Sequence, residues 1–198
     1  MIVSLLLSTD NFNVCNWSSH YPDATEKVPP DAPEVLGHSA VTTCYVDADH
    51  AGCRTTRRSH TGIIIYVNCT PIVWFSKRQN TVELSTFSSE FIALKIAIEL
   101  IESLRYKLRM FGIPIDSSTV VFCDNEAVVQ NTTRPESTLK KKHVSIAYRQ
   151  CREAQAAGCV RIGFIKGMEN LADMLMKILP GLRLRRLMEQ IFHWKHVK

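Results

Sequence analysis

The sequence lacks any long apolar run. Of its 198 residues 45% are apolar, but no stretch approaches the ~18 consecutive apolar residues that a membrane-spanning helix needs. The longest apolar stretch near the start, residues 2–7, is interrupted by Ser4. It has no basic flank and is shorter than a signal-peptide core. These absences argue against a membrane span and against secretion.

Paired cysteine motifs are also missing. The sequence has seven cysteines, an odd number, at wide spacings and without a C-x-x-C motif. This pattern disfavours a zinc site and a disulfide framework. Several of the cysteines lie within apolar runs, where cysteine behaves as a small buried hydrophobe. A reducing compartment fits this usage best.

No strong excess of either charge is present. Lysine and arginine number 24 against 19 aspartates and glutamates, which gives a formal net charge of +5. This mild excess permits a polyanionic partner without requiring one, and an ordinary solvated surface explains it as well. The length and the apolar fraction predict one globular domain with a core of its own.

The composition changes along the chain and predicts three segments. Residues 1–40 read as a Pro-rich arm or linker, because four prolines fall between positions 22 and 33. Residues 41–180 carry the periodic patterns of a folded domain. Pro180 and Gly181 then interrupt the pattern, and residues 181–198 are predicted to be a basic helical tail.

Residues 41–180 alternate between strand and helix patterns. Helices are predicted over residues 86–111, 125–131, 144–157 and 170–177, with Ser85 or Thr86 as the first N-cap. Strands are predicted over residues 41–49, 61–67, 71–77, 119–124 and 160–164. The first three strands have short connections and read as an antiparallel meander. This order predicts an α/β fold with a mixed sheet and helices packed on it.

Acidic residues occupy positions at which the pattern favours apolar residues or strand ends. Asp47 and Asp49 share one face of the first strand, Glu90 lies on the buried stripe of the long helix, Asp124 ends the fourth strand, and Asp173 lies early in a helix. Each alone has an ordinary explanation as a turn residue, helix cap or solvated side chain. Converging carboxylates would repel one another unless divalent cations lay among them, and hard oxygen ligands select Mg²⁺ or Mn²⁺.

Several segments carry a resemblance to a known family. They lie in the order expected for that family at residues 44–52, 57–62, 71–79, 88–94, 123–125, 169–173 and 179–181. Together they resemble the ribonuclease H domain of copia-type (Ty1/copia) retrotransposon Pol polyproteins, from about Tyr45 to Pro180 and more weakly over residues 21–37. The resemblance departs at Met176 and Ile178, where the family usually has Thr and Pro, and at His50, where it has Trp.

The resemblance implies an RNase H-like fold: a five-stranded mixed sheet with strands one to three antiparallel, flanked by helices. It also implies hydrolysis of the RNA strand of RNA–DNA hybrids with two Mg²⁺ ions (or Mn²⁺) held by Asp47, Glu90, Asp124 and Asp173. In the family the first Asp bridges both ions, the Glu and second Asp complete the shell of one, and the last Asp helps to hold the other. Asp49 is the alternative for the first position, and Asp47 is preferred because it aligns with the family's strand.

Further expectations concern the substrate and the partners. Hybrid binding should rest on phosphate contacts and on A-form shape with its 2′-hydroxyls. The residues proposed for it are Arg57, Arg58, Lys77, Arg78, Lys140, Lys141 and Lys142, although a charge run is often only a solvated loop. The implied partners are the reverse transcriptase and integrase domains of one polyprotein, with no membrane. The implied location is the cytoplasm, in a virus-like particle if the element is active, or the nucleus.

Two other functions stay open. An integrase-like strand transferase would share the fold, but its acid set ends in a Glu after two Asp, whereas here a Glu comes second and an Asp last. A catalytically silent remnant that at most binds nucleic acid is the other alternative.

Overall fold

The structure is a computed structural model and describes residues 16–17, 19–139 and 141–192. Its strands are β1 (Thr42–Ala48), β2 (His60–Val67), β3 (Thr70–Arg78), β4 (Thr119–Cys123) and β5 (Val160–Phe164). Its α-helices are α1 (Thr86–Met110), α2 (Glu126–Thr133), α3 (Ser145–Ala156) and α4 (Gly181–Phe192). Short 3₁₀ helices cover Lys142–Val144, Gly167–Glu169 and Leu171–Leu175. Among these residues, none of the helices has the length and apolarity to cross a membrane.

The five strands form one mixed sheet in the order β3-β2-β1-β4-β5. β1, β2 and β3 pair antiparallel, while β4 is parallel to β1 and β5 is parallel to β4. This is the predicted architecture, a five-stranded mixed sheet whose first three strands are antiparallel. Because β1 and β4 are parallel, their carboxyl ends meet at the same edge of the sheet, which brings Asp47 and Asp124 to that edge.

Side chains of β1 alternate between two cores. Cys44 and Val46 point into the larger core, which α1 covers with residues such as Phe91 and Leu94. Tyr45 points into a smaller core on the opposite face, which α4 closes with Leu187. A buried strand pleats in this way because successive side chains point to opposite faces.

α1 begins where the sequence predicts. The hydroxyl of Ser85 accepts a hydrogen bond from the Ser88 amide and caps the helix. The helix ends at Met110, and Gly112 follows with a φ of +73°, a left-handed conformation that glycine adopts without strain. Glu90 is one of the 25 residues of α1 and lies on its buried side, near the amino end of the helix.

The predicted helix over residues 170–177 forms only as the 3₁₀ helix Leu171–Leu175. The side chain of Asn170 anchors the start of this segment. Its Oδ1 accepts the Ala172 amide, and its Nδ2 donates to the Val46 carbonyl at 3.0 Å. The second bond holds the segment against β1.

Described residues of the Pro-rich segment form no helix or strand and lie along the domain. The carboxylate of Glu26 accepts hydrogen bonds from Arg105, at 2.6 Å, and from Arg109 of α1. The Ala40 amide donates to the Pro114 carbonyl. Of the predicted tail, α4 covers residues 181–192, and the remainder lies outside the described residues. The division into three segments stays a prediction.

Candidate metal centre

Asp47 lies at the carboxyl end of β1 and is almost fully buried, with 1% of its surface exposed. Its Oδ1 accepts the Ala48 amide at 2.8 Å, and its Oδ2 accepts a hydrogen bond from Lys177 Nζ at 2.7 Å. Its neighbour across the sheet is Gly62. A Cβ on Gly62 would lie 2.7 Å from the Ala172 carbonyl oxygen, so glycine lets the 3₁₀ helix approach the sheet beside Asp47.

Asp124 and Asp173 join Asp47 at this edge. One carboxylate oxygen from each of the three lies within 4.8 Å of the others. Asp124 follows β4 directly, and Asp173 lies on the 3₁₀ helix that Asn170 fixes to β1. Three separate elements therefore place carboxylates within the reach of a shared cation.

Glu90 reaches the same place from α1. It is 3% exposed, and ligand atoms of Glu90, Cys123 and Asp124 lie within 4.8 Å of one another. Asp124 belongs to both groups and links Glu90 to the aspartates. Within the described residues, Glu90 Oε2 is buried and has no hydrogen-bond partner. A buried acceptor without a partner is costly, and a bound cation would satisfy it.

Burial and the negative charge of neighbouring carboxylates raise the pKa of most of these carboxyls. Burial raises the pKa of Asp47 to about 7, helped by Asp173 and the negative charge of Asp124. Burial, followed by the charges of Asp47 and Asp124, also raises the pKa of Glu90 well above its usual range. The pKa of Asp124 is raised by burial as well. Like charges held together in a desolvated site are stable only with protons or cations among them.

Two positively charged side chains, Lys177 and Arg183, contact Asp173. Lys177 Nζ contacts Asp173 Oδ1 as well as Asp47, and Arg183 Nη2 contacts Asp173 Oδ2. Although burial alone would raise it, hydrogen bonds with Asp47 and Lys177 hold the pKa of Asp173 below its usual value. Sequence reasoning gave neither cation a role. The spacing of four residues between Asp173 and Lys177 is a usable signal for contact on one helical face, whereas nothing in the sequence points to Arg183.

The donor set fits a hard divalent cation. Asp47, Glu90, Asp124 and Asp173 offer carboxylate oxygens, which Mg²⁺ and Mn²⁺ prefer. Burial raises the pKa of the Cys123 thiol well above its usual range, and Mg²⁺ and Mn²⁺ prefer carboxylate oxygens to sulfur. The partnerless oxygen of Glu90 is available as a ligand.

Asp49, the alternative for the first acid, has different partners. Its Oδ1 accepts the His60 amide at 2.5 Å, and its Oδ2 lies 3.2 Å from His60 Nδ1. These bonds close the connection between β1 and β2. Among the described residues, Asp49 is in neither of the groups of candidate ligands.

Four of the proposed nucleic-acid contacts lie at one end of the β2–β3 hairpin. Lys77 and Arg78 pair with Thr61 and His60 across the hairpin, and Arg57 and Arg58 immediately precede β2. Arg57, Lys77 and Arg78 are exposed, and Arg58 is half-buried. The structure therefore brings these four arginine and lysine residues to one end of the sheet.

The lysine run lies elsewhere, beside the amino end of α1. Lys141 Nζ donates to the Ser85 hydroxyl at 2.6 Å and lies 4.8 Å from the centre of the Phe87 ring. Lys142 is exposed, and Lys140 lies outside the described residues. Lys141 thus packs against the amino end of α1, while the side chain of Lys142 is exposed and accessible to a ligand.

Known proteins resemble this chain in sequence and in fold. It is 31% identical over 144 residues to the retrovirus-related Pol polyprotein from transposon TNT 1-94 of Nicotiana tabacum, a match that covers 73% of this chain and 11% of the polyprotein. The matched segment spans about a tenth of the length of this and of two further Pol polyproteins, from transposons RE1 and RE2 of Arabidopsis thaliana. No family model matches the sequence.

Solved structures share the fold at low sequence identity. The N-terminal RNase H domain of Rv2228c from Mycobacterium tuberculosis superposes with a TM-score of 0.52 at 13% identity, over 76% of this chain and 98% of that one. LC11-RNase H1, solved in complex with an RNA/DNA hybrid, superposes with a TM-score of 0.52 at 18% identity, over 68% and 93%. At sequence identities this low, the likeness establishes the fold alone, and it confirms the predicted RNase H-like fold.

Proposed function

We propose that this chain, whose homologues are the Pol polyproteins of copia-type transposons and whose structural neighbours are RNase H domains, is a metal-dependent ribonuclease H. Its substrate would be the RNA strand of RNA–DNA hybrids. The observation that carries the proposal is the convergence of Asp47, Asp124 and Asp173 within 4.8 Å, with Glu90 linked to them through Asp124. A cluster of this kind suits phosphoryl transfer assisted by divalent cations.

Asp47, Glu90, Asp124 and Asp173 would hold two Mg²⁺ ions, or Mn²⁺ in their place. When bound, such ions lower the pKa of a water and stabilise the charge that develops on the phosphate and on the leaving oxygen. The residues supply a cluster of carboxylates fixed by the sheet, by α1 and by the anchored 3₁₀ helix. Asp47 is the most constrained of them, because its backbone lies within a sheet of five strands.

Phosphate contacts would orient the hybrid. Arg57, Lys77 and Arg78 are exposed at the end of the β2–β3 hairpin, and Lys142 is exposed on the other side, beside α1. Arg58, Lys141 and Lys140 are the remaining proposed contacts. Contacts of this kind set the register of a duplex, while A-form shape and 2′-hydroxyls distinguish RNA from DNA. The neighbour solved with an RNA/DNA hybrid supports this substrate class.

The Pol polyproteins that this chain matches are about ten times as long as the matched segment. We therefore propose reverse transcriptase and integrase domains as its partners, with action in the cytoplasm, within a virus-like particle if the element is active, or in the nucleus. Copurification of the chain with a reverse transcriptase domain of the same element would test the partnership.

Cleavage of a labelled RNA–DNA hybrid in Mg²⁺ or Mn²⁺ tests the proposed activity. We expect the wild-type chain to cut the RNA strand. Asp47→Asn and Asp124→Asn should each lose about 100-fold or more in rate, since each replaces a ligand carboxylate by a neutral amide and the loss of a group that only orients a ligand already costs about 10- to 100-fold. Asp49→Asn is the matched control, because it neutralises a nearby carboxylate that pairs with His60.

Two outcomes contradict the proposal. Absence of cleavage by a folded wild-type chain that binds the hybrid would favour the silent remnant. Equal cleavage by wild type and variants would show a contaminating nuclease. A parallel reaction with DNA ends would reveal strand transfer, the activity expected of an integrase-like enzyme.

A further inference from the structure

Arg183 ties together two points of the segment that carries Asp173. Its Nη2 donates to the Gly167 carbonyl oxygen at 2.7 Å and also contacts Asp173 Oδ2. Gly167 begins the first of the two 3₁₀ helices that follow β5, and Asp173 lies six residues later, in the middle of the second. One guanidinium nitrogen therefore links the two short helices.

The Gly167 end of this segment touches a second acid. A Cβ on Gly167 would lie 3.0 Å from Asp124 Oδ2 and 3.9 Å from Asp124 Cγ. The backbone of Gly167 thus passes directly beside Asp124. Any shift of this backbone would change the surroundings of Asp124 and Asp173 together.

Arg183 is itself held by a helix that is anchored in the protein. It lies in the first turn of α4, four residues before Leu187, which is 1% exposed. Leu187 and Ile191 pack into the smaller core with Tyr45 and Phe122 of the central strands. The position of the guanidinium is therefore fixed by the same sheet that carries Asp47.

We infer that Arg183 is a positioning residue for the metal centre and that α4 is part of the catalytic unit rather than an appended tail. The inference rests on the proposed function, in which Asp124 and Asp173 hold divalent cations. Arg183 acts through these carboxylates and through Gly167, and it needs no contact with substrate.

The test compares two substitutions at this position with a control on the same helix. Arg183→Lys keeps the charge and loses the guanidinium that bridges Gly167 to Asp173, and Arg183→Met loses both. Arg186→Met is the matched control, since Arg186 is exposed on α4. Mn²⁺ binding, measured by electron paramagnetic resonance, and amide hydrogen exchange of residues 165–175 are the readouts besides cleavage.

We expect both Arg183 variants to bind Mn²⁺ about 10-fold or more weakly, as is typical when a residue that orients a ligand is removed. Exchange in residues 165–175 should speed up, and kcat on the hybrid should fall with KM unchanged. Arg186→Met should match the wild type in all three. The circular dichroism spectrum and melting temperature establish whether each variant is folded.

A different pattern would overturn the inference. If Arg183 mattered only as a positive charge, Arg183→Lys would behave as wild type and Arg183→Met would bind Mn²⁺ more tightly. If it had no role, neither Mn²⁺ binding nor exchange would change. Failure of the proposed function is distinguishable, because a wild-type chain that does not cleave hybrids still reports on Mn²⁺ binding and exchange.

Discussion

Lys177 lies where a divalent cation would meet the aspartates, and its removal should tighten metal binding. Its ammonium bridges Asp47 Oδ2, at 2.7 Å, and Asp173 Oδ1. Although burial alone would lower it, hydrogen bonds to Asp173 and Asp47 raise the pKa of Lys177, so it is charged at any pH of interest. A cation that binds these oxygens must first displace the ammonium. Lys177→Met removes that competitor and keeps the length of the side chain.

The magnitude follows from the geometry. Two unit charges about 4 Å apart attract by about 4 kcal/mol at an effective dielectric constant of about 20. The side chain of Lys177 is 37% exposed, and solvent screening reduces the net contribution of each such pair to about 0.2–1 kcal/mol. Lys177 makes two of these pairs, with Asp47 and with Asp173. Since 1.4 kcal/mol corresponds to a tenfold change, Lys177→Met should bind Mn²⁺ about 2- to 30-fold more tightly.

Titration of the metal-free protein with Mn²⁺ at pH 7.5 and low salt measures this effect. Lys177→Arg is the matched control, because it keeps a positive charge at the same position and should bind Mn²⁺ much as the wild type does. The same titrations at 0.5 M salt should narrow the difference, since salt screens exposed charges. Unchanged or weaker Mn²⁺ binding by Lys177→Met would refute the reasoning.

Three further predictions concern stability, each measured by urea denaturation of the metal-free protein. The pKa of Asp47 is about 7 in the folded state against an ordinary 3.8, so the folded state keeps a proton that the unfolded state loses. This shift alone should lower wild-type stability by up to about 4 kcal/mol as the pH rises from 3.8 to about 7, and Asp47→Asn should lack this contribution while the raised pKa values of Glu90 and Asp124 keep the rest of the slope. Glu26→Gln should cost about 3 kcal/mol, because it leaves the buried Arg105 guanidinium without its anionic partner; an equal stability would contradict this. Gly62→Ala should cost about 1–3 kcal/mol, because its Cβ would meet a backbone oxygen, whereas Gly181→Ala, which meets nothing within 4 Å, should not.

The sheet and the approximate place of the acids could be predicted from local pattern. Alternation in β1 predicted that Asp47 and Tyr45 share a face, and helical spacing predicted that Glu90 lies on the buried side of α1; both agree with the structure. The order of elements then leaves few topologies, because parallel strands need a helical crossover and sequential strands tend to pair. The local sequence thus predicts the site residues whose positions are set by regular strands and helices.

The contacts that finish the site could not be predicted, because they join segments that are distant in sequence. Asn170 donates to Val46, 124 positions earlier in the chain, and that bond holds the segment that carries Asp173 against β1. Arg183 meets Gly167 only because Leu187 is buried in the smaller core. Nothing local in these residue types or spacings indicates such partners.

Removal of each of the two cations that contact Asp173 should have opposite effects on Mn²⁺ binding. The comparison therefore shows whether a cation acts through its charge or by holding Asp173 in position. Lys177 contacts Oδ1 and also Asp47, on the side shared by the carboxylates, where it opposes a divalent ion. Arg183 contacts Oδ2 and a backbone carbonyl, so it holds Asp173 in place. If charge alone governed the site, losing either cation would tighten Mn²⁺ binding. If position matters at Arg183, Lys177→Met tightens binding and Arg183→Met weakens it, although each removes one positive charge from the same carboxylate.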